Sequence, residues 1–126
     1  MIKKIVSKDA PEAIGPYSHG MIANGLFFSS GQIPLDPVSG EMIKGGIAEQ
    51  TRRVMENLAL VLKEAGLSWE HVVKTTIYLS DMTQFQIINQ IYGEYLGDQK
   101  PARSTVGIKE LPKGAAVEID LVAAIP

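Results

Sequence analysis

The sequence predicts an α+β domain in which two helices pack on one face of a mixed β-sheet. Two amphipathic helical patterns and six short strand-like segments follow one another in the order β-β-β-α-β-α-β-β. This order is typical of helices that cover one side of a single sheet. The length of 126 residues, with 45% hydrophobic and 21% charged residues, predicts one domain over residues 1–126.

The amino-terminal third is predicted to contain short strands and turns. Residues 1–6 alternate loosely and predict a strand, whereas residues 9–20 hold two prolines and two glycines and predict a loop. In residues 20–31, Asn24-Gly25 separates two apolar stretches. Both turn residues tolerate positive φ, so a β-hairpin is expected there. Residues 32–46 are again rich in turn-forming residues.

A long helix is predicted over about 47–65, because apolar residues recur there at three- and four-residue steps and Gly66 follows as a C-cap. Residues 71–79 are rich in β-branched residues and predict a strand. A second helix is predicted to begin at Asp81, with Gln84 completing a capping box. The apolar stripe of this helix is predicted to consist of Phe85, Ile88, Tyr92 and Tyr95. Gly97 and Pro101 would end this helix, and two further strands follow. Those strands are predicted over 103–108 and 116–125.

The two faces of the predicted sheet differ in composition. In the last strand, one set of alternating residues is apolar and is expected to meet the helices: Val117, Ile119, Leu121, Ala123 and Ile125. In strand 71–79 the corresponding set is Val73, Thr75, Ile77 and Leu79. The opposite face is neither fully polar nor fully apolar. It is either solvated or covered by other subunits, and the pattern leaves both open.

The alternation of side chains along a strand also predicts which face of the sheet carries two charged residues near the carboxy terminus. Arg103 and Thr105 share one face of strand 103–108, and Glu118 lies in the next strand. The opposite set in strand 103–108 is the more apolar one and is expected to face the core: Ser104, Val106 and Ile108. Arg103 and Glu118 are therefore expected on the same side of the sheet, away from the helices.

This pair can be interpreted in two ways. The guanidinium of Arg103 offers a planar fork of donors that suits a carboxylate, and Glu118 could hold a water molecule and accept its proton. An ordinary salt bridge between Arg103 and Glu118 is the simpler interpretation, and these two residues alone favour it.

Composition excludes several classes of function. Twelve Lys+Arg against fourteen Asp+Glu give a net charge of −2, so nucleic acid is not an expected partner. The absence of cysteine excludes thiolate catalysis. His19 and His71 lack any metal-ligand spacing, so no metal is expected, and a surface role is expected for His19. No secretory or membrane-spanning segment is recognisable, so a cytoplasmic, membrane-free protein is expected.

Several segments together resemble one known family. The carboxy-terminal part reads Pro101-Ala102-Arg103-Ser104, then Leu111-Pro112, then Val117-Glu118-Ile119. Earlier segments that match are Ala13-Ile14-Gly15-Pro16-Tyr17-Ser18, Ser29-Ser30-Gly31-Gln32-Ile33-Pro34-Leu35-Asp36-Pro37 and Leu79-Ser80-Asp81-Met82 with Phe85 and Asn89. In residue type and spacing the chain resembles the RidA/YjgF family of reactive-intermediate deaminases over nearly its whole length.

The resemblance implies a chorismate-mutase-like α+β fold that assembles as a homotrimer with three sites between subunits. It implies hydrolysis of reactive enamines and imines, such as 2-aminoacrylate and 2-aminocrotonate, to 2-oxo acids and ammonia. No cofactor is implied. Two other functions stay open: a ribonuclease or translation inhibitor, as attributed to some relatives, and a non-catalytic binder of small carboxylates.

The resemblance also implies roles for individual residues. Arg103 would bind the substrate carboxylate, Glu118 would position and deprotonate water, and Tyr17 would close the cleft. Those three are the expected catalytic residues.

Substrate contacts are further implied for Ser30, Gly31, Asn89 and Thr105. Gly31 would allow close approach because it lacks a Cβ. Many family members carry cysteine where this chain has Thr105. Thiol-dependent behaviour of relatives therefore cannot transfer to this protein.

Overall fold

A single six-stranded sheet carries two helices on one face, as predicted. The computed structural model describes residues 1–126. In chain order the elements are β1 (Ile2–Ile5), β2 (Gly20–Ala23), β3 (Leu26–Ser29), α1 (Ile47–Glu64), β4 (Val72–Leu79), α2 (Phe85–Leu96), β5 (Ala102–Gly107) and β6 (Val117–Ala124). The strand order in the sheet is β1-β2-β3-β6-β4-β5. Only β4 and β5 are parallel, so the predicted mixed sheet is confirmed.

The predicted hairpin at Asn24-Gly25 is confirmed. Ala23 pairs with Leu26, so a two-residue turn joins β2 and β3. Both turn residues have positive φ, 51° at Asn24 and 75° at Gly25. This backbone matches the right-handed twist of the flanking strands.

The start and the end of the first helix match the predicted bounds to within one residue. At its start the Gly46 N–H donates to Oε1 of Glu49 at 2.7 Å, which satisfies one of the free donors of the helix terminus. At its end Gly66 adopts a φ of +76°, and the Leu67 N–H donates to the Leu62 carbonyl at 2.9 Å. Gly66 therefore acts as the predicted C-cap.

The second helix begins later in the chain than predicted. Asp81 caps a short 3₁₀ turn, Met82–Gln84, and α2 begins only after that turn. The Asp81 carboxylate accepts from the Thr83 N–H at 3.0 Å and from Thr83 Oγ1 at 2.7 Å. The predicted capping box with Gln84 is wrong, because Thr83 lies closer and supplies both donors.

The core lies between the sheet and the two helices. The helix-facing side chains of β6 are 0–2% exposed, as the alternation predicted: Val117, Ile119, Leu121 and Ala123. They meet the buried stripe of α1, Val54, Leu58 and Val61, which is at most 1% exposed. Each buried aliphatic side chain of this size contributes about 1.5–3 kcal/mol to folding. The core therefore holds β6 and β4 firmly in register.

A β-bulge at the start of β4 corrects one assignment. Val73 was expected to face the helices, but it is 44% exposed, whereas Val72 is fully buried. The pairing with β6 shifts register between Val72 and Lys74, so one extra residue reverses the alternation at that point. From Thr75 onward the predicted parity is correct.

No helix covers the other face of the sheet, which we call the outer face. It carries exposed apolar side chains, Phe28 at 43% and Val106 at 39%, next to the half-buried Tyr78 and Val122. Val106 was expected in the core. It lies outside because it pairs with Tyr78 of β4, whose side chain points away from the helices.

Two glycines give stability predictions of opposite sign. A Cβ at Gly20 would overlap the ring of the fully buried Phe27, whereas a Cβ at Gly93, inside α2, meets nothing within 4 Å. Gly20→Ala is expected to lower the free energy of unfolding by about 1–3 kcal/mol. Gly93→Ala is expected to raise it by about 0.5–1 kcal/mol. Denaturant unfolding measures both, and equal effects would contradict the packing described here.

Candidate active site

The predicted site residues fall into two groups on opposite faces of the sheet. We call the first group the Glu118 pocket: Tyr17, Ser30, Gly31, Pro112 and Glu118. We call the second the Arg103 cluster: Arg103, Asn89, Phe85 and Tyr92. The structure therefore does not bring Arg103 and Glu118 together within one chain.

The register of β4 and β5 places Arg103 on the helix face. Arg103 pairs with Thr75 and Thr105 pairs with Ile77. Thr75 is 1% exposed and Ile77 is fully buried under the helices. Because paired residues of neighbouring strands share a face, Arg103 and Thr105 also point toward α2.

The expectation that Arg103 shares a face with Glu118 is therefore wrong. The alternation of side chains along strand 103–108 was predicted correctly. The side of the strand that faces the helices was assigned wrongly. β5 is an edge strand, and five of its six residues are exposed. Its apolar residues consequently carry no information about where the core lies.

Arg103 is held by α2 without an acidic partner. Its Nη1 donates to Oδ1 of Asn89 at 2.8 Å. Its Cζ lies 5.0 Å from the ring centroid of Tyr92 and 5.4 Å from that of Phe85. The chain has no salt bridge that involves Arg103. The simpler interpretation, a salt bridge with Glu118 in the same chain, is therefore excluded, and the other guanidinium N–H groups stay available.

Glu118 lies on the outer face beside Gly31. Backbone hydrogen bonds between Gln32 and Ile119, 2.9 and 3.2 Å long, bring the Gly31 backbone against Glu118. A Cβ on Gly31 would overlap the Oε2 atom of Glu118 and lie 2.7 Å from its Cδ. The carboxylate of Glu118 therefore occupies the space that a side chain at position 31 would fill, and the expected contact between Gly31 and a substrate stays a prediction.

The surroundings of Glu118 make its carboxyl group more basic. Burial raises the pKa of Glu118, and the nearby charge of Asp120 raises it further. Asp120 is itself held by Tyr78, whose hydroxyl donates to Oδ2 of Asp120 at 3.1 Å. A carboxylate with a raised pKa is a better base near neutral pH. Glu118 opens into a depression of about 330 Å³.

The loop that carries Tyr17 is fixed to the end of β3. Ser30 Oγ donates to the Ser18 carbonyl at 2.6 Å, and the Ser30 N–H donates to the His19 carbonyl at 2.9 Å. Tyr17 is 47% exposed at the mouth of the Glu118 pocket. Its position there fits the expected role of closing the cleft.

His19 anchors this loop from inside, so the expected surface role is wrong. The side chain is 3% exposed. Its Nδ1 accepts from the Ser7 N–H at 2.9 Å, and its Nε2 donates to the Pro11 carbonyl at 2.7 Å. Both ring nitrogens are satisfied within the protein. His19 therefore fixes the shape of the loop from inside the fold.

A larger cavity of about 570 Å³ also borders the Tyr17 loop. Side chains from the segment 6–19 and the 37–40 turn line it, and neither Arg103 nor Glu118 does. No group of three or more His, Asp or Glu side chains could hold a metal ion. No helix is long and apolar enough to cross a membrane.

Sequence reasoning missed the aromatic residues of the Arg103 cluster. Phe85 and Tyr92 were assigned to the apolar stripe of the second helix. Together with Asn89 they follow a spacing of i, i+4 and i+7, which places all three on one side of a helix. That spacing around Asn89 was the signal that could have identified them.

Comparison with known proteins places this fold among characterised relatives. A family model described as Endoribonuclease L-PSP matches residues 7–125. A RutC family protein of Pyrococcus horikoshii is 46% identical over 98% of both chains. The human protein named 2-iminobutanoate/2-iminopropanoate deaminase is 40% identical over 98% of this chain and 90% of its own. The crystal structure of Escherichia coli TdcF with bound serine superposes with a TM-score of 0.92, at 35% identity, over 98% of this chain and 99% of that one.

The chain therefore shares its α+β fold, with six strands and two helices, with these solved relatives. The α+β fold that the resemblance implied is confirmed. The chain belongs to the RidA/YjgF family. Membership of this family and the names of its deaminase relatives support a function of the Rid type.

The charge of Asp120 gives a testable pH effect. Asp120→Asn removes a negative charge beside Glu118, so the ionised form of Glu118 becomes easier to reach and its pKa is expected to fall. A carboxyl-carbon NMR titration measures this change. Asp98→Asn, in the exposed turn after α2, is the matched control and should leave the titration of Glu118 unchanged. An unchanged pKa in Asp120→Asn would show that Asp120 has no such influence.

Proposed function

We propose that this protein hydrolyses small 2-imino and enamino acids to 2-oxo acids and ammonia. The sites of a homotrimer would combine the Glu118 pocket of one subunit with the Arg103 cluster of its neighbour. One observation carries the proposal: Arg103 has no acidic partner and Glu118 has no basic partner, and the two lie on opposite faces of the sheet. Each group therefore lacks a charged partner of the kind that the other group could supply from a neighbouring subunit.

The separation of the two groups supports a site between subunits. In a closed ring, each subunit presents one surface to one neighbour and a different surface to the other. Such an arrangement can bring the helix-side edge of one sheet against the outer face of the next. The exposed Phe28 and Val106 on the outer face provide apolar area for this contact.

Recognition of the substrate would begin with its carboxylate. Free N–H groups of Arg103 can form charge-assisted hydrogen bonds, each contributing about 1.5–3 kcal/mol. Thr105 lies two residues along the same strand face, so its hydroxyl would lie beside the bound carboxylate. Asn89 uses its Oδ1 on Arg103, which leaves its amide N–H groups for the ligand. Serine bound to TdcF is itself a small molecule with a carboxylate.

The chemical step would take place at the other end of the substrate. Glu118 accepts a proton from water as the water oxygen bonds to C2, and the imine nitrogen receives that proton. The hydroxyl proton of the resulting carbinolamine then passes to the nitrogen, C2=O forms and ammonia leaves. An enamine enters this sequence after tautomerising to the imine, a change in which C3 gains one proton and the nitrogen loses one. The raised pKa of Glu118 suits it to both proton transfers.

The remaining pocket residues would exclude water and orient the reacting group. Tyr17 stands at the mouth, Ser30 lines the wall and Gly31 leaves room for the Glu118 carboxylate. None of these steps uses a metal or an organic cofactor.

The two alternatives make different demands on the protein. A binder of small carboxylates needs Arg103 but has no use for the basic carboxylate of Glu118. An endoribonuclease needs a surface that attracts phosphates. The chain carries a net charge of −2 and a pI of about 5.6, which disfavours that activity.

Substitution of the two charged residues separates the enzyme from the binder. A dehydratase generates the imine from serine or threonine, and 2-oxo acid release is followed in the presence of a trapping amine. Glu118→Gln is expected to lower kcat by about 10²–10⁴-fold while 2-oxo acid binding persists. Arg103→Ala is expected to weaken binding by about 10–100-fold.

Arg52→Ala removes an exposed arginine that pairs with Glu94, and it serves as the control with unchanged activity. Equal activity in wild type and Glu118→Gln would exclude the proposed general base. Binding that is lost in Arg103→Ala, together with no acceleration of 2-oxo acid release by the wild type, would identify a binder.

Mixed oligomers test whether each site uses two subunits. Arg103→Ala and Glu118→Gln chains are coexpressed with different tags, the hybrids are isolated, and activity is measured at a substrate concentration at which each parent has little activity. In a trimeric ring with sites between subunits, each hybrid keeps both residues in about one of its three sites, so activity should return to about a third of the wild-type value.

Light scattering provides the control for assembly, with an expected mass of about three times 13.7 kDa for each parent. Hybrids of that mass without activity would mean that Arg103 and Glu118 act from the same chain. A monomeric mass would contradict the trimer and the shared site together.

A further inference from the structure

We infer that Phe85 and Tyr92 of α2 are positioning residues that orient the Arg103 guanidinium for carboxylate binding while leaving its charge unneutralised. The inference rests on the part of the proposed function that assigns carboxylate binding to Arg103. It does not depend on the hydrolytic step.

Two aromatic rings and one amide hold the guanidinium from the side of α2. Tyr92 and Phe85 lie 5.0 and 5.4 Å from Cζ of Arg103, within the range of cation–π attraction. Asn89 accepts from Nη1 at 2.8 Å. Because the amide binds Nη1, the edge formed by Nε and Nη2 keeps its donors free for a planar, bidentate carboxylate.

The position of Tyr92 is itself fixed by the strand next to Arg103. The Tyr92 hydroxyl and Thr75 Oγ1 share a buried hydrogen bond of 2.7 Å. Thr75 is also the residue paired with Arg103 in the parallel ladder between β4 and β5. The contacts therefore form a closed path from Arg103 to the Tyr92 ring, through Thr75 and back across the ladder, and the hydrogen bond to Thr75 fixes the ring beside the strand that pairs with Arg103.

The chemistry of the partners explains why this support is aromatic. A carboxylate next to Arg103 would also fix the side chain, but it would compete with an anionic ligand for the same donors. An aromatic face attracts the cation through its quadrupole and carries no net charge. The arginine is thus ordered before the ligand arrives and retains its full positive charge, which reduces the entropy lost on binding.

The test measures binding of pyruvate to the full-length protein. Phe85→Leu and Tyr92→Leu are expected to raise the Kd by about three- to thirtyfold, because each removes one ring from Arg103. Phe85→Tyr keeps a ring at that position and should stay close to wild type. Tyr95→Leu is the matched control, since this tyrosine of the same helix packs edge-on against Trp69 at 6.2 Å and does not touch Arg103.

A spectroscopic readout separates positioning from general structural support. The Nε–H proton of Arg103 is expected to show an upfield ring-current shift in wild type, which decreases in Phe85→Leu and Tyr92→Leu and persists in Tyr95→Leu. Phe85 is only partly buried, so Phe85→Leu keeps the test decisive even if Tyr92→Leu fails to fold.

The outcomes also separate this inference from the proposed hydrolysis. Loss of pyruvate affinity together with the loss of the ring-current shift supports positioning by the rings, whether or not the protein turns over an imine. A Kd within twofold of wild type in Phe85→Leu overturns it. An equal loss of affinity in Tyr95→Leu also overturns it, because that result would indicate a general effect of destabilising α2.

Discussion

The pairing of β4 with β6 on one side and β5 on the other is the constraint on which the proposed site depends. The antiparallel register with β6 places Glu118 opposite Tyr78, on the outer face. The parallel register with β5 places Arg103 beside Thr75, on the helix face. A shift of one residue in either ladder would reverse the face of every side chain in that strand. The core residues that hold these registers therefore also decide where the charges point.

Each half of the proposed site is electrostatically incomplete in the single chain. Arg103 is ordered by rings and an amide but has no opposing charge. Glu118 is partly buried near Asp120, and both its burial and that charge disfavour ionisation. A partly buried carboxylate without a basic partner is costly to ionise, whereas the exposed guanidinium of Arg103, without an acidic partner, is free to bind an anion. A carboxylate ligand on Arg103 and a proton moving through Glu118 would meet these two needs at opposite ends of one small substrate.

Local patterns predicted the elements, and errors arose where tertiary pairing overrides a local pattern. The hairpin at Asn24-Gly25 and the Gly66 cap follow from backbone preferences of a few residues, so both were predictable. The bulge at Val73 was not, because an extra residue in a strand leaves no local signature in a run of β-branched residues. His19 was expected at the surface of its loop, but its two hydrogen bonds to the backbone lie inside the fold.

The sequence by itself determined the α+β fold, the order of the elements and the residues that belong to the proposed site, because these follow from periodicity, turn chemistry and the family resemblance. Only the tertiary structure decided how those residues are grouped. In the exposed edge strand β5, hydrophobicity gives no sign of the buried side, so the face of Arg103 depended on the register with β4. The aromatic support of Arg103 came from residues whose pattern indicated only a core stripe. Whether a ring in that stripe packs on aliphatic groups or on a cation depends on the neighbouring strand, which lies far away in the sequence.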